Sequence, residues 1–362
     1  MAGVDVLIVG GGIGGASLGA ELAAQCSVLL VEAESQCGVH ATGRSAAFWL
    51  ETYGGPIVSQ LSAASRGFLA EPPGDFSEQG FLTTRGAIHV ARSEAELPEL
   101  VSASALGRDE LEALVPGIRR EWTCALFEPS CSDIDVAGLH SAYLRRLRRS
   151  GGEVRTDSAL ASAQHQGSCW RASLRDGTEV EADVIVDAAG AWADPVARAC
   201  GLEPLGIQPK LRTMVQLRVG RAGMKGMPLV IDASEQFYFK GEGDRTIWLS
   251  PHDEIDSDPC DAAPEEIDVA VAIDRFEKVV DWGIEAVERR WAGLRSFSPD
   301  RNPVYGFDPE APAFFWCAGQ GGFGIQTAPA AAKMAAAILL GQVLEPMVAD
   351  IDPAPFEPAR FR

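Results

Sequence analysis

Residues 4–9 (VDVLIV) form a short β-branched apolar run, glycines follow at 10, 11, 12, 14 and 15, and ASLGAELAAQ then reads as an alanine- and leucine-rich helix. A second apolar run, SVLLVE at 27–32, ends on an acid. Runs of this kind suit strands buried on both faces of a parallel sheet. The opening segment therefore reads as a β-α-β unit, the framework that holds a dinucleotide. In Gly10-x-Gly12-x-x-Gly15 the first glycine allows the tight turn, the second lets a pyrophosphate approach the backbone, and the third lets helix and strand pack closely. Ile13 and Gly14 open the helix, whose free N–H groups and partial positive charge face the phosphates. Glu32, with Ala33 beside it, is placed to accept hydrogen bonds from the adenosine ribose. An acid there repels the 2′-phosphate of NADP, which leaves NAD or FAD.

At 362 residues the chain has room for two domains. The pattern predicts an irregular glycine-rich stretch at 36–56, a helix over 57–70, strands across 80–92 and an acidic amphipathic helix near 94–114 ended by Pro116. A helix over 135–150 has Asp135 at its N-cap and is stopped by Gly151 and Gly152. Short strands are predicted at 153–156, 159–165, 169–174 and 179–182, with a turn at Asp176-Gly177 joining the last two. The segment VIVDAAGAWAD repeats the buried strand and glycine loop, and FFWCAGQGGFG does so again before a helix at 327–340. Between these lie alternating strands at 211–219, 228–232, 236–240 and 246–250, a helix at 265–281 and a strand near 287–293. A discontinuous nucleotide domain (1–80, 136–205 and 290–362) with a separate sheet-based substrate domain (81–135 and 206–289) is the simplest assembly.

The 51 acidic and 31 basic residues give a formal charge of −20, which argues against nucleic acid and anionic membrane as partners. Of the basic residues 26 are arginine, the better type for a bidentate grip on a carboxylate. The 8 cysteines and 5 histidines are scattered without metal-ligand spacing, so no metal is expected and the thiols suit a reducing cytosol. The N-terminal apolar run lacks a basic flank and is broken by glycines, unlike a secretory signal. The segment AAAKMAAAILL is too short to span a bilayer and contains Lys333. A cytoplasmic protein without stable membrane insertion is the expectation.

Five segments carry a family resemblance: GGGIGGASLGAELA, ATGRSAAFW, VIVDAAGAWAD, WAGLRSFSPD and AGQGGFGIQTAPA. Together, and in this order, they resemble the FAD-dependent oxidoreductases of the D-amino-acid oxidase superfamily, most of all the bacterial D-arginine/D-amino-acid dehydrogenases. The resemblance implies an α/β plus antiparallel-β architecture: a discontinuous Rossmann-like FAD domain of the glutathione-reductase-like type, and a substrate domain on a mixed or antiparallel sheet. It implies non-covalent FAD. Thr42, Gly43, Arg44, Ser45 and Ala46 would pass the pyrophosphate and flavin ring, and Ala189, Gly190 and Trp192 the adenosine diphosphate. Gly321, Gly322, Gly324, Ile325, Gln326 and Thr327 would meet the flavin pyrimidine with a helix N-terminus, where negative charge gathers on reduction.

The same resemblance implies that Arg212 and Arg295 clamp a substrate carboxylate, with Tyr53 as a mobile lid residue and Tyr238 facing the substrate. Phe48, Ala87, Gln320 and Gly321 would line the pocket. Arginine-preferring relatives carry a histidine and an acid where this chain has Phe48 and Ala87, so the pocket is expected to be apolar. The leading expectation is oxidative deamination of neutral or hydrophobic D-amino acids to 2-oxo acids and ammonia, with quinone or O2 as the electron acceptor. A secondary-amine (sarcosine, glycine or N-methyl amino acid) or 2-hydroxy-acid oxidoreductase is the alternative. A non-catalytic flavin-binding subunit is a third reading, opposed by the presence of Arg212, Tyr238 and Arg295.

Overall fold

The computed structural model describes residues 2–100 and 102–362, organised by two large sheets. In the eight-stranded sheet Ala2–Val9 lies between Val28–Val31 and Glu179–Asp187 and is parallel to both. Glu179–Asp187 is also parallel to Ala311–Ala318. The register aligns Val9 with Asp187 and Asp187 with Trp316, so these three strands end within two residues of one another, each just before its glycine loop. Ligands bind at that edge in open α/β sheets.

Alternation decides which side each strand residue supports. Val6 and Ile8 pack under the helices Ile13–Leu22, Val136–Arg149 and Gly324–Leu340. Leu7 and Val9 pack under the antiparallel strands Leu160–Gln166 and Cys169–Leu174 and the helix Ala193–Ala199. Both faces are covered, which is why these runs are apolar throughout.

The ten-stranded sheet is ordered 320–321, 284–297, 208–219, 246–250, 238–241, 229–232, 87–91, 124–128 and 104–106, with 255–256 added against 208–219. Its outer face, including Val215, Leu217, Phe239 and Leu249, packs on the helix Glu266–Glu277. The alternate residues Met214 and Tyr238 point the other way, into a small cluster with Phe48 and Tyr53. The edge strand Gln320–Gly321 pairs with Ser296 and Phe297, tying the last glycine loop to the substrate sheet.

Three expectations change. The acidic stretch 94–114 is a short turn at Glu94–Glu96, a strand at Ser104–Leu106 and a helix only over Arg108–Leu114. Pro98 interrupts the pattern, and Glu110 accepts from the Gly107 N–H at 2.8 Å, so the helix begins there. The strand expected to end at 182 continues to Asp187 as one element. The domain boundary expected at 290 falls inside the unbroken strand Ile284–Phe297, which pairs along its length with Gln208–Val219.

Candidate cofactor and substrate site

One cleft of about 540 Å³ is lined by the first glycine loop, Glu32 and Ala33, Ala189, Gly190 and Trp192, the start of the last helix, and then Phe48, Arg212, Met214, Tyr238 and Arg295. The glycine loop is built from outside as much as from within. Gly10 has φ +110°, a conformation only glycine adopts easily, and a Cβ on Gly15 would overlap the Gly10 carbonyl oxygen. His140, on the helix Val136–Arg149, places Nε2 2.9 Å from the Gly11 carbonyl. Burial pushes its pKa down, so the ring is neutral and donates that proton to the carbonyl. Glu32 accepts from the N–H groups of Gly11 at 2.8 Å and Glu34 at 3.0 Å, one on each carboxylate oxygen, with lone pairs left over.

The buried Thr42 hydroxyl accepts the Ile13 N–H at 3.0 Å. Its own proton is then free to donate to a phosphate at the start of the first helix. Thr42→Val keeps the shape and removes both bonds. FAD affinity is expected to fall about 5- to 10-fold, the equivalent of one lost hydrogen bond, as read by titrating the apoprotein with FAD.

The structure brings most of the predicted cofactor residues to the cleft, but not always by their side chains. Arg44 turns away from the phosphate loop and donates to the carbonyls of Val39, Ala262 and Ala292 and pairs with Asp261. Ser45 accepts from Ala47 N–H at 3.0 Å within the bend that presents Ala46 and Phe48. Ile13, Gly14, Gly321, Gly322, Gly324 and Ile325 line the cleft. Gly15, Gly43 and Thr327 do not: a Cβ on Gly43 would press on the Gly38 carbonyl, and the Thr327 hydroxyl donates to Phe323 inside the helix. Gln326 is buried, with its amide bonded to Leu50 N–H at 3.1 Å, Leu50 and Tyr53 carbonyls, and Ser62 Oγ at 2.8 Å. It positions the 50–53 segment and lines the cleft at the start of the last helix.

Arg212 pairs across the sheet with Gly293, two residues before Arg295, so both guanidiniums stand on one face. Arg212 is buried, and its Nε donates to the Asp253 carbonyl at 2.8 Å. Its two terminal nitrogens have no hydrogen-bond partner. Arg295 packs over the backbone of Gly322, where a Cβ would come within 2.8 Å of its Cζ. Tyr53 stacks edge-on against Phe323 at 5.0 Å and beneath Arg295 at 5.9 Å. It does not line the cleft itself. Tyr238 meets Phe48 edge-on at 5.9 Å, and its hydroxyl donates to Met214 Sδ at 3.2 Å. Ala87 is fully buried in the cluster that also holds Tyr238 and does not reach the cleft. Gln320 lines the cleft between Gly14 and Gly324, and its amide donates to the Cys317 carbonyl at 2.8 Å. That is the position between the two helix starts.

Sequence reasoning missed His140, Glu254, which lies 3.5 Å from Arg212, and Arg301, which donates to Glu254 at 2.9 Å. None sits in a motif, and each reaches its partner only through the fold.

Residues 5–338 match the DAO family of FAD dependent oxidoreductases. A bifunctional ThiO/ThiG protein of Synechocystis is 26% identical over 99% of this chain, and the chain spans about half (54%) of that relative. A glycine oxidase of Bacillus licheniformis is 24% identical, covering 93% of each chain. The solved structure of an L-proline dehydrogenase from P. horikoshii superposes with a TM-score of 0.82 at 20% identity, over 99% of this chain and 98% of that one. FAD fits the residues present: two helix N-termini without side-chain caps from their own N-cap residues, a ribose acceptor in Glu32, and a backbone approach at Gly12. Among the described residues no helix is long and apolar enough to cross a membrane.

Proposed function

Because the chain belongs to the DAO family of FAD-dependent oxidoreductases, whose members here include amine-oxidising relatives, we propose that it oxidises the Cα–N bond of a neutral or apolar D-amino acid. When bound, FAD supplies the two-electron sink that takes hydride from Cα. The observation that carries the reading is the buried Arg212 guanidinium, whose two terminal nitrogens make no hydrogen bond, beside Arg295. A planar carboxylate supplies acceptors in matching geometry. Held there, a substrate has one orientation, and its rate benefits from positioning. Phe48, Met214 and Tyr238 offer an apolar wall to the side chain.

Among the described residues the only carboxylates lining the cleft are Glu32 and Glu34, at the nucleotide end. Nothing there would hold a guanidinium or ammonium side chain, which supports a neutral substrate. The substrate amine correspondingly binds uncharged, since no carboxylate lines the cleft beside the two arginines to hold an ammonium. A second reading has specific support: the relatives named glycine oxidase and L-proline dehydrogenase favour glycine or a secondary amine on the same carboxylate clamp.

The test is anaerobic bleaching of the bound flavin by matched D- and L-amino acids, glycine, sarcosine, L-proline and 2-hydroxy acids. Bleaching by D-alanine, D-valine or D-phenylalanine, and not by their L-forms or D-arginine, is the expected result. Bleaching only by glycine, sarcosine or proline selects the second reading. No bleaching by any amino acid overturns both.

A further inference from the structure

Behind the two clamp arginines lies a closed ion-pair network. Arg212 is 3.7 Å from Asp253 through Nε and 3.5 Å from Glu254 through Nη2. Arg295 reaches the same Glu254 at 3.8 Å, and Arg301 grips both of its oxygens at 2.9 and 3.0 Å. The two carboxylates differ in kind. The Asp253 side chain is 9% exposed and its carboxylate accepts the Thr213 N–H at 2.8 Å, so it is part of the backbone scaffold. The Glu254 side chain is 31% exposed and is held by side chains alone, among them Arg301, a residue with φ +67° whose guanidinium lies 4.0 Å over the Phe297 ring.

The charge count of this network is three arginines against two carboxylates, a surplus of one positive charge. His252 adds none. Burial, then Arg212, push its pKa down to about 3, with a hydrogen bond to the Glu235 carbonyl opposing. A shell one negative charge short of neutrality is complementary to a single carboxylate.

We propose that Glu254 is a specificity-determining residue that sets this surplus at one, so that the site accepts monocarboxylates and discriminates against dicarboxylates. The inference rests on the reading of Arg212 and Arg295 as a carboxylate clamp. The physical cause is direct: Glu254 already occupies one side of both guanidiniums, leaving room and charge for one anion. A second anionic group on the ligand meets no further unpaired positive charge, because Glu254 offsets it from behind the arginines, and this opposes binding. With Glu254 neutral, the surplus becomes two and matches a dianion.

The experiment uses the flavin-loaded enzyme and a three-carbon pair of inert acids, propionate and malonate, with binding read from perturbation of the flavin absorbance. Glu254→Gln keeps the shape and the contact with Arg301. It is expected to shift the ratio of the two dissociation constants toward malonate by at least about tenfold. Glu254→Asp, which keeps the charge, is expected to stay within about threefold of the original ratio. A ratio unchanged in Glu254→Gln while propionate still binds overturns the charge filter and leaves the clamp standing. Propionate failing to bind the unaltered enzyme, or binding Arg295→Met equally well, overturns the clamp and the filter with it. Turnover of D-alanine against D-aspartate in the same variants gives an independent readout, expected to move in the same direction.

Discussion

Arg212→Met lowers the second-order rate constant for flavin reduction by about 10²- to 10³-fold while the protein stays yellow. Truncating one member of a buried, hydrogen-bonded charge pair costs about 2–5 kcal/mol, and each 1.4 kcal/mol is a factor of ten. Arg212 is 5% exposed, so water cannot replace what the substrate loses. Arg212→Lys is expected to recover little, because one ammonium cannot offer two parallel N–H groups to a carboxylate. The variant also removes the cation 3.7 Å from Asp253 and the guanidinium 5.9 Å over the Tyr238 ring. Asp253 retains its bond from the Thr213 N–H, so the loss of stability is expected to leave the protein folded at 25 °C. Rates are therefore normalised to bound flavin, and thermal unfolding is followed alongside. Stopped-flow reduction within threefold of the unaltered enzyme, with flavin fully bound, would remove Arg212 from the clamp.

The nucleotide half was legible early because its requirements are local. A strand, a glycine turn, a helix and an acid within one stretch must meet in space whatever the rest of the chain does. The alignment of Val9, Asp187 and Trp316 at one sheet edge then follows from three copies of the same pattern. Side-chain direction was not legible. The motif places Gln326 beside the cleft, but the amide turns inward to Leu50, Tyr53 and Ser62, where its oxygen gives the buried Leu50 N–H an acceptor. Arg44 turns to the carbonyls of Ala262 and Ala292 for the same reason. The family pattern points to Ala87 as a pocket residue, whereas every residue of its strand is buried and Ala87 packs in the cluster that holds Tyr238 without reaching the cleft.

His140 and Glu254 illustrate a second limit. His140 meets Gly11 across 129 positions and Glu254 meets Arg212 across a loop that carries no regular pattern. No spacing rule finds either. What could have pointed to Glu254 is charge arithmetic: two arginines in one pocket need a counter-ion, and the polar stretch after Ser250 is where acids were available.

Gly12 and Gly15 are written alike in the motif but are expected to fail in opposite ways. Gly12 has φ −71° and ψ −175°, a conformation open to any residue, and a Cβ there meets only Thr42 Oγ1 at 3.4 Å. The space it would fill is the cleft. Gly12→Val is therefore expected to yield a folded, colourless apoprotein whose FAD affinity is reduced by about 100-fold or more, the equivalent of some 2.7 kcal/mol. Its melting temperature should match that of the unaltered apoprotein and hardly respond to added FAD, since a ligand stabilises only in proportion to its occupancy. Gly15 faces the other way. A Cβ there overlaps the Gly10 carbonyl oxygen and comes within 3.2 Å of Ile8 Cγ2, so the first helix must move off the sheet. Gly15→Ala is expected to lower the apoprotein's melting temperature by several degrees, as overpacking by about 1–3 kcal/mol does, before any cofactor is added. A Gly12→Val protein that purifies with a full complement of flavin would place the pyrophosphate elsewhere in the cleft. A Gly15→Ala apoprotein as stable as its parent would mean that helix and strand have slack which the contact with Ile8 does not suggest.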